Sequence, residues 1–449
     1  MSAIVKIGKK VKKIIFGDKS RIPGSNYMSL TRRIERVLIP EKIVAMTFDD
    51  GPCALPPQPW KNEGDSLTGV ILDIMKEFDA RGTFDVIGDT SKNYPDDIGI
   101  EGSASWGGIR YDHYPMFEMD EQGGAQSQKE LINRILEEGH EVSNHSYQHI
   151  LFGRKNFVYQ KRVHLSKLGE VLDDLYKLDK LLEDRHSYKM KFSRPPHYVD
   201  RIDKYFTVYD AYDILKYQYM AASFDGAGWL PMGSYEVEVE TMWGPMREKL
   251  AENPDFLRGQ IIFQKDGYNM ASRSPVVDGL RRQLETLKEF GYKVVPVSEL
   301  LNYGQFKDIS SKNPYYKAAA GLIAKGRCVA YRDNTVRPGK VLTRGELAMM
   351  LAPHRAIIDR TIKIQEGKAE TLEFSDVKVK HPYSSAAKWC VEQGFMQING
   401  GKFCPNHEVT DADFDTAISK LGGKLSGLQG KIKRGDAINI LWNLAKEKE

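Results

Sequence analysis

The sequence predicts an α/β chain followed by a smaller, mainly α-helical module, and three observations carry that prediction. The apolar run Val44-Ala45-Met46-Thr47-Phe48 reads as a buried strand that ends directly in Asp49-Asp50-Gly51-Pro52. Residues 276–290 have the spacing of an amphipathic helix, followed by a strand over 291–297 and a last helix opening with Ser298-Glu299-Leu300-Leu301. Beyond about Asn302 the layout changes. Phe306-Lys307-Asp308-Ile309 and Phe374-Ser375-Asp376-Val377 open two segments of similar layout, which is an internal repeat.

Taken in order, residues 1–40 form a basic N-terminal segment. Its stretch from Val5 to Phe16 is partly apolar but lacks the apolar core of a secretory signal. The first strand then places Asp49 and Asp50 at its C-terminal end, where α/β folds concentrate their chemistry. An irregular stretch at 89–127 is rich in Gly, acids and aromatics. Its Trp106-Gly107-Gly108-Ile109-Arg110-Tyr111 segment suits stacking on a sugar, as part of a binding loop or lid or as a solvent-facing excursion. A helix begins near Gln128-Lys129-Glu130-Leu131, and Gly139-His140-Glu141-Val142-Ser143-Asn144 leads to His145-Ser146-Tyr147-Gln148-His149.

One carboxylate and two imidazoles, Asp50, His145 and His149, make a ligand set for Zn²⁺ or a similar first-row ion (Co²⁺, Ni²⁺ or Mn²⁺) with coordination positions left for water and substrate. The four-residue spacing of the histidines predicts one helical turn with both rings on one face. Spacing of this kind also arises by coincidence, and the link to the strand-end aspartates is what raises it above that.

From about Ile43 to Leu301 these motifs resemble the NodB-homology polysaccharide deacetylases of carbohydrate esterase family 4. The resemblance rests on Thr47-Phe48-Asp49-Asp50-Gly51-Pro52, on His145 to His149 and on Arg81-Gly82-Thr83-Phe84-Asp85-Val86-Ile87-Gly88 as a second strand. It implies a distorted (β/α) barrel of NodB type, Asp49 as general base, and Asp50, His145 and His149 as metal ligands. The metal would polarise an acetyl carbonyl and acidify a water, while a backbone N–H stabilises the oxyanion.

The family's R-x-P-Y motif reads Arg194-Pro195-Pro196-His197 here, so Arg194 is expected to orient Asp49 unless it merely caps a Pro-Pro turn. His197 then faces either site or solvent. D-x-x-D-W reads Asp225-Gly226-Ala227-Gly228-Trp229, which keeps Asp225 and Trp229 for substrate and puts glycine where the second Asp belongs. The L-x-H histidine is replaced by Lys265. Lys265 or His197 is therefore the expected acid for the leaving amine, with Trp106 and Trp229 against the sugar.

The C-terminal segments resemble surface-layer homology (SLH) repeats. The first contains Thr343-Arg344-Gly345-Glu346, the second Thr410-Asp411-Ala412-Asp413, and Ile432-Lys433-Arg434-Gly435-Asp436 looks like the trailing helix of a third. In that family the arginine contributes to binding secondary cell-wall polysaccharide, which makes Arg344 the wall-binding candidate. The alternative is a module that only packs on protein. The expected division is 1–40, a barrel over 41–302 with an insertion at 89–127, and repeats over 303–449.

The implied function is metal-dependent removal of N-acetyl or O-acetyl groups from a cell-wall or chitin-like polysaccharide. The alternative is a catalytically impaired carbohydrate-binding protein of the cell envelope. A net charge of +4 in 449 residues argues against nucleic acid, and no apolar run reaches the length of a membrane span. Resemblance points to the envelope or exterior, whereas the absence of a recognisable signal leaves the cytoplasm open. Cys53, Cys328, Cys390 and Cys404 lack metal or disulfide-framework spacing and read as core thiols, although Cys53 follows the aspartates closely enough to lie near an ion.

Overall fold

A computed structural model of the protein describes residues 22, 24–58, 65–89, 104–106, 109–111, 122–153, 164–229, 231–269, 273–368, 374–424 and 430–447. The basic stretch from Val5 to Phe16 and most of the 89–127 insertion lie outside these residues. The chain forms two compact units. Among the described residues, the first comprises Ile34–Ala211 and Tyr217–Gly304, and the second the stretch up to Arg33, Tyr212–Lys216 and the residues from Gln305 onward.

The first unit is built on a nine-stranded sheet. Its strands are β1 (Arg33–Ile34), β2 (Ile43–Asp49), β3 (Thr83–Val86), β6 (Glu141–Asn144), β7 (Phe192–Ser193), β8 (Gln218–Met220), β9 (Phe224–Asp225), β10 (Ile261–Lys265) and β11 (Lys293–Val295). A separate hairpin pairs β4 (Ala104–Trp106) with β5 (Ile109–Tyr111). The order is β1-β8-β7-β6-β3-β2-β10-β9, with β11 beside the start of β2. From β7 through β10 the neighbours run parallel, as crossover connections through helices require.

All seven residues of β2 are buried, which is why its sequence shows no polar alternation. The segment after Ile34 draws the sheet round into the expected distorted barrel. Ala221 N–H donates to the Ile34 carbonyl and Val37 N–H to that of Gly259, both at 2.8 Å, so one short segment serves both β8 and β10. Ile34, Val37, Ile43, Ala45, Ile261 and Val295 form the core beneath it.

Helices cover the strands as the apolar spacing predicts. Helix Leu67–Glu77 buries Ile71, Leu72, Ile74 and Met75 and is capped by Ser66, whose Oγ accepts from Gly69 N–H at 3.1 Å. Helix Val276–Glu289 buries Leu280, Leu284 and Leu287, matching the predicted amphipathic segment, and β11 leads into helix Val297–Tyr303.

The second unit is helical, with Tyr316–Ala324, Arg344–Leu351, His354–Gln365, Ser384–Glu392, Asp411–Lys420 and Arg434–Lys446 around one apolar core. The strand-like segments before three of these helices knit together. Leu342 N–H donates to the Ile432 carbonyl (2.9 Å), and Val409 N–H donates to that of Leu342 (3.0 Å). Arg344 Nε donates to the Phe403 carbonyl (2.8 Å), just as Arg434 Nε donates to that of Val336 (2.9 Å). Each arginine also meets the acid of a neighbouring repeat, Asp413 for Arg344 and Glu346 for Arg434. Among the described residues no helix is long and apolar enough to cross a membrane.

Candidate metal centre and active site

The candidate residues sit on one register row across the C-terminal ends of the strands. Lys265 pairs with Asp49, Asp49 with Asp85, and Asp85 with Ser143. The row beneath it, Gln264, Phe48, Phe84 and Val142, is buried, and the Phe48 and Phe84 rings stack at 4.8 Å. An apolar floor thus carries a charged rim.

Immediately after this row the chain turns sharply. Asp50 adopts φ 78°, and Gly51 passes so close to Asp266 that a Cβ there would stand 1.9 Å from Oδ2. Asp266 is buried and held by the Thr68 hydroxyl, which lies 2.8 Å from both of its carboxylate oxygens; burial pushes its carboxyl up to about 7. Cys53, just beyond, is buried, its thiol is pushed up to about 12 by burial, and it does not join the groups of side chains that could share an ion.

The turn aims Asp50 at two imidazoles. Its Oδ1 lies 3.1 Å from His145 Nε2 and 3.0 Å from His149 Nε2, and the three ligand atoms fall within 4.8 Å of one another. Oδ1 is buried and takes no hydrogen bond from the described residues. A buried carboxylate oxygen that faces two ring nitrogens at 3.0–3.1 Å fits a divalent cation, so the donor set suits the group.

The two histidines reach this point differently from the single helical turn expected of their spacing. His145 follows β6 and His149 ends an irregular loop in which Ser146 and His149 have φ of 72° and 51°. Side chains hold that backbone in place of helical hydrogen bonds. Asn144 Oδ1 accepts from Ser146 N–H (2.9 Å), and the Asp174 carboxylate accepts from Tyr147 (2.8 Å) and Gln148 (3.1 Å). His145 Nδ1 lies 2.8 Å from the Arg194 carbonyl and 3.0 Å from Asp85 Oδ2. Two acceptors there place the proton on Nδ1 and leave the Nε2 lone pair for a ligand.

Arg194 is fully buried and forks across the row. It donates to Asp49 Oδ1, to Thr47 Oγ1 from both terminal nitrogens (3.1 Å each) and to the Met220 carbonyl (3.2 Å). It therefore orients Asp49 as the resemblance implies. Burial raises the Asp49 carboxyl to about 7, with Arg194 opposing the shift and Asp85 adding to it. Asp50 goes the other way: burial alone would raise it, but Lys265 first and His149 next hold it well below the usual carboxylate range.

Lys265 pairs directly with Asp50 Oδ2 and is itself buried. His197 has φ 53°, and its ring centroid lies 5.5 Å from that of His149, so it faces the site. Burial, then the neighbouring His149, keeps its pKa well below the usual imidazole value. Asp225 turns inward on its own loop, its Oδ1 accepting from Ala227 N–H (2.9 Å) and from Trp229 Nε1 (3.3 Å); it fixes the Trp229 ring. Gly228 has φ 86°, a conformation that an aspartate would strain to adopt. Trp106 ends β4, and its side chain lies outside the described residues. Sequence reasoning missed Asp85 and Asp266, which look locally like a strand residue and a turn residue.

In the second unit, Arg344 is largely buried. Its donors go to the carbonyls of Phe403 and Gln397 and to Asp413, so the guanidinium is spent inside the unit rather than offered to a wall polymer. A cleft of ≈ 420 Å³ between helices His354–Gln365 and Ser384–Glu392 is lined by Arg355, Arg360, Lys363, Lys388 and Trp389, with Asp359 and Glu392 paired to the two lysines.

Comparison with known proteins bears on both units. Residues 38–207 match the family described as polysaccharide deacetylase, and residues 305–348 match the S-layer homology domain. A peptidoglycan-N-acetylglucosamine deacetylase of Bacillus cereus is 26% identical over 266 residues, 59% of this chain and 90% of that protein. A peptidoglycan-N-acetylmuramic acid deacetylase of Bacillus subtilis is 25% identical over 179 residues, 40% of this chain and 26% of that protein. Among solved structures, the chitin deacetylase of Colletotrichum lindemuthianum is similar at 18% identity and a TM-score of 0.40, covering 65% of this chain and 96% of that one. A family 4 pseudoenzyme of Bacillus anthracis is similar at 18% identity and a TM-score of 0.39, covering 65% and 81%.

Proposed function

Because the chain carries a polysaccharide deacetylase domain and an S-layer homology domain, we propose that it is a metal-dependent hydrolase that removes N-acetyl groups from a cell-wall polysaccharide, with N-acetylglucosamine of peptidoglycan as the favoured substrate. The observation that carries this reading is the convergence of Asp50, His145 and His149 on one point beside an Arg194-oriented Asp49. A divalent cation bound by those three side chains, with Zn²⁺ the best fit and Co²⁺, Ni²⁺ or Mn²⁺ chemically admissible, supplies Lewis acidity for the amide carbonyl.

The chain's own residues then divide the proton work. Asp49 takes a proton from the attacking water, and a carboxyl near 7 suits that task at neutral pH. Pro195 and Pro196 have no N–H, so within that motif the backbone donor for the oxyanion is His197. As the C–N bond breaks, the nitrogen of the sugar needs a proton. Lys265 is the donor we assign, since its ammonium already lies at Asp50, whereas neutral His197 is too weak an acid. Trp229 walls the pocket beside it.

The second unit would hold the enzyme at its substrate in the cell envelope, with the Trp389-bearing cleft, where Arg355 and Arg360 stand beside two lysine–acid pairs, as the place for a wall glycan. The test is acetate release from N-acetylated and O-acetylated glycans by the Zn²⁺-loaded protein, with Asp49→Asn as control. Release abolished by the control establishes the deacetylase. The Lys265–Asp50 pair favours one second reading, a carbohydrate-binding protein in which an ammonium competes for the ligand carboxylate. Glycan binding without acetate release would select it.

A further inference from the structure

Asp85 has no counterpart in the proton work assigned above, yet it is completely buried in the middle of the sheet. A carboxylate there is costly unless something nearby repays it. Its Oδ1 accepts from the Ser143 hydroxyl at 2.5 Å. Its Oδ2 lies 3.0 Å from His145 Nδ1, the ring nitrogen that also lies 2.8 Å from the Arg194 carbonyl. The carboxylate thus stands against a metal-ligand imidazole, on the ring nitrogen opposite the one that faces Asp50.

Lys265 stands on the same register row, two strands away across Asp49, a separation of roughly 10 Å. It brings a positive charge against Oδ2 of the ligand Asp50. Lys265 and Arg194 thus bring two cationic side chains to the row, and Asp85 is the carboxylate on that row that is neither a ligand candidate nor the assigned base. Removing it takes one negative charge from beside His145 while both cations stay in place.

We propose that Asp85 is a positioning residue of the metal centre whose buried charge offsets Lys265, so that a site carrying a lysine beside its ligand carboxylate still binds a divalent cation. This rests on the metal-site reading above. It makes Asp85 and Lys265 a compensating pair that never touch. Asp266 is common to every variant compared and does not alter the difference.

The test is Zn²⁺ affinity measured against a competing chelator, with the visible absorption of the Co²⁺ form as a second readout. Asp85→Asn keeps the shape and the Ser143 bond while removing the charge, and should weaken Zn²⁺ by ~10–100-fold, the usual effect of losing an outer partner. With the ion on Asp50, His145 and His149, the Co²⁺ spectrum should not change, because Asp85 then sits on the far ring nitrogen of His145 and outside the ligand set. Lys265→Gln should tighten Zn²⁺, and the double variant should return to within about threefold of the unaltered protein.

Asp85→Asn binding as tightly as the unaltered protein overturns the proposal. So does a double variant as weak as Asp85→Asn alone, because the loss is then not one of charge, and so does an altered Co²⁺ spectrum. If Asp85→Asn does not fold, Lys265→Gln alone decides: no tightening overturns the proposal. Failure of the unaltered protein to bind either ion overturns the metal reading and this inference with it.

Discussion

Lys265 and Asp50, 215 residues apart in sequence, form a buried ion pair in which the same carboxylate turns its other oxygen to His145 and His149. One side chain therefore touches both the proposed cation site and the proposed proton donor, and the two cannot be altered independently.

Lys265→Ala should lower the turnover of acetyl hydrolysis by ~10²–10⁴-fold, the range typical of a lost general acid. His197→Ala, which keeps the backbone N–H, should cost less than about tenfold. Steady-state kinetics on N-acetylglucosamine oligomers checks both, and the reverse ranking would transfer the donor role to His197.

Arg194→Met should destabilise the first unit by about 3–5 kcal/mol, because Asp49 would be left as a buried, unpaired carboxylate. Denaturant unfolding measures this. Arg194→Lys should recover part of the stability but little of the activity, since an ammonium cannot fork between Asp49 and Thr47.

Gly228→Asp, which recreates the D-x-x-D-W pattern, should not restore anything else. The backbone there has φ 86°, and a Cβ would approach Met242 Sδ at 3.1 Å and Val276 Cγ2 at 3.2 Å. A loss of about 1–3 kcal/mol is expected with no gain in turnover. A more active variant would show that the loop can take up an ordinary conformation.

Zn²⁺ should raise the thermal midpoint of the first unit. Free metal at a thousandfold excess over Kd adds about 4 kcal/mol by linkage, and a chelator should reverse the shift. Asp50→Ala should show no shift, because it removes the oxygen shared by both imidazoles.

Cell-wall pull-down should survive Arg344→Lys far better than Trp389→Ala combined with Lys388→Ala. The first residue is spent on internal carbonyls, while the other two line the cleft. Loss of at least about tenfold in retained protein is expected for the double variant. Truncation after Asn302 should abolish retention altogether.

The strand ends of the candidate site were readable because their chemistry is local: Asp49 and Asp50 follow one apolar run, and Arg194 keeps its Pro-Pro neighbours. Asp85 was not readable. In Thr83-Phe84-Asp85-Val86 nothing separates it from an ordinary strand residue, and it joins the site only through register with Asp49 and Ser143. The histidine loop was misread as a helical turn for a related reason. A four-residue spacing suits a helix, but Asn144 and Asp174 supply the bonds that hold an irregular path instead. In the repeats the motif arginine was visible, but not its direction, which depends on carbonyls of another repeat.

The knitting of the second unit also decides how this protein can be shortened. Lys340 is bonded to Arg434 and Leu342 to Ile432, so the last helix closes onto the first repeat rather than capping the end of a stack. A stop codon near residue 430 would strip Arg434 from the carbonyls of Val329 and Val336 and leave Glu346 without its guanidinium partner. Unlike a solenoid, which tolerates loss of a terminal repeat by degrees, this unit should be lost whole, and libraries of nested C-terminal deletions should show a single step.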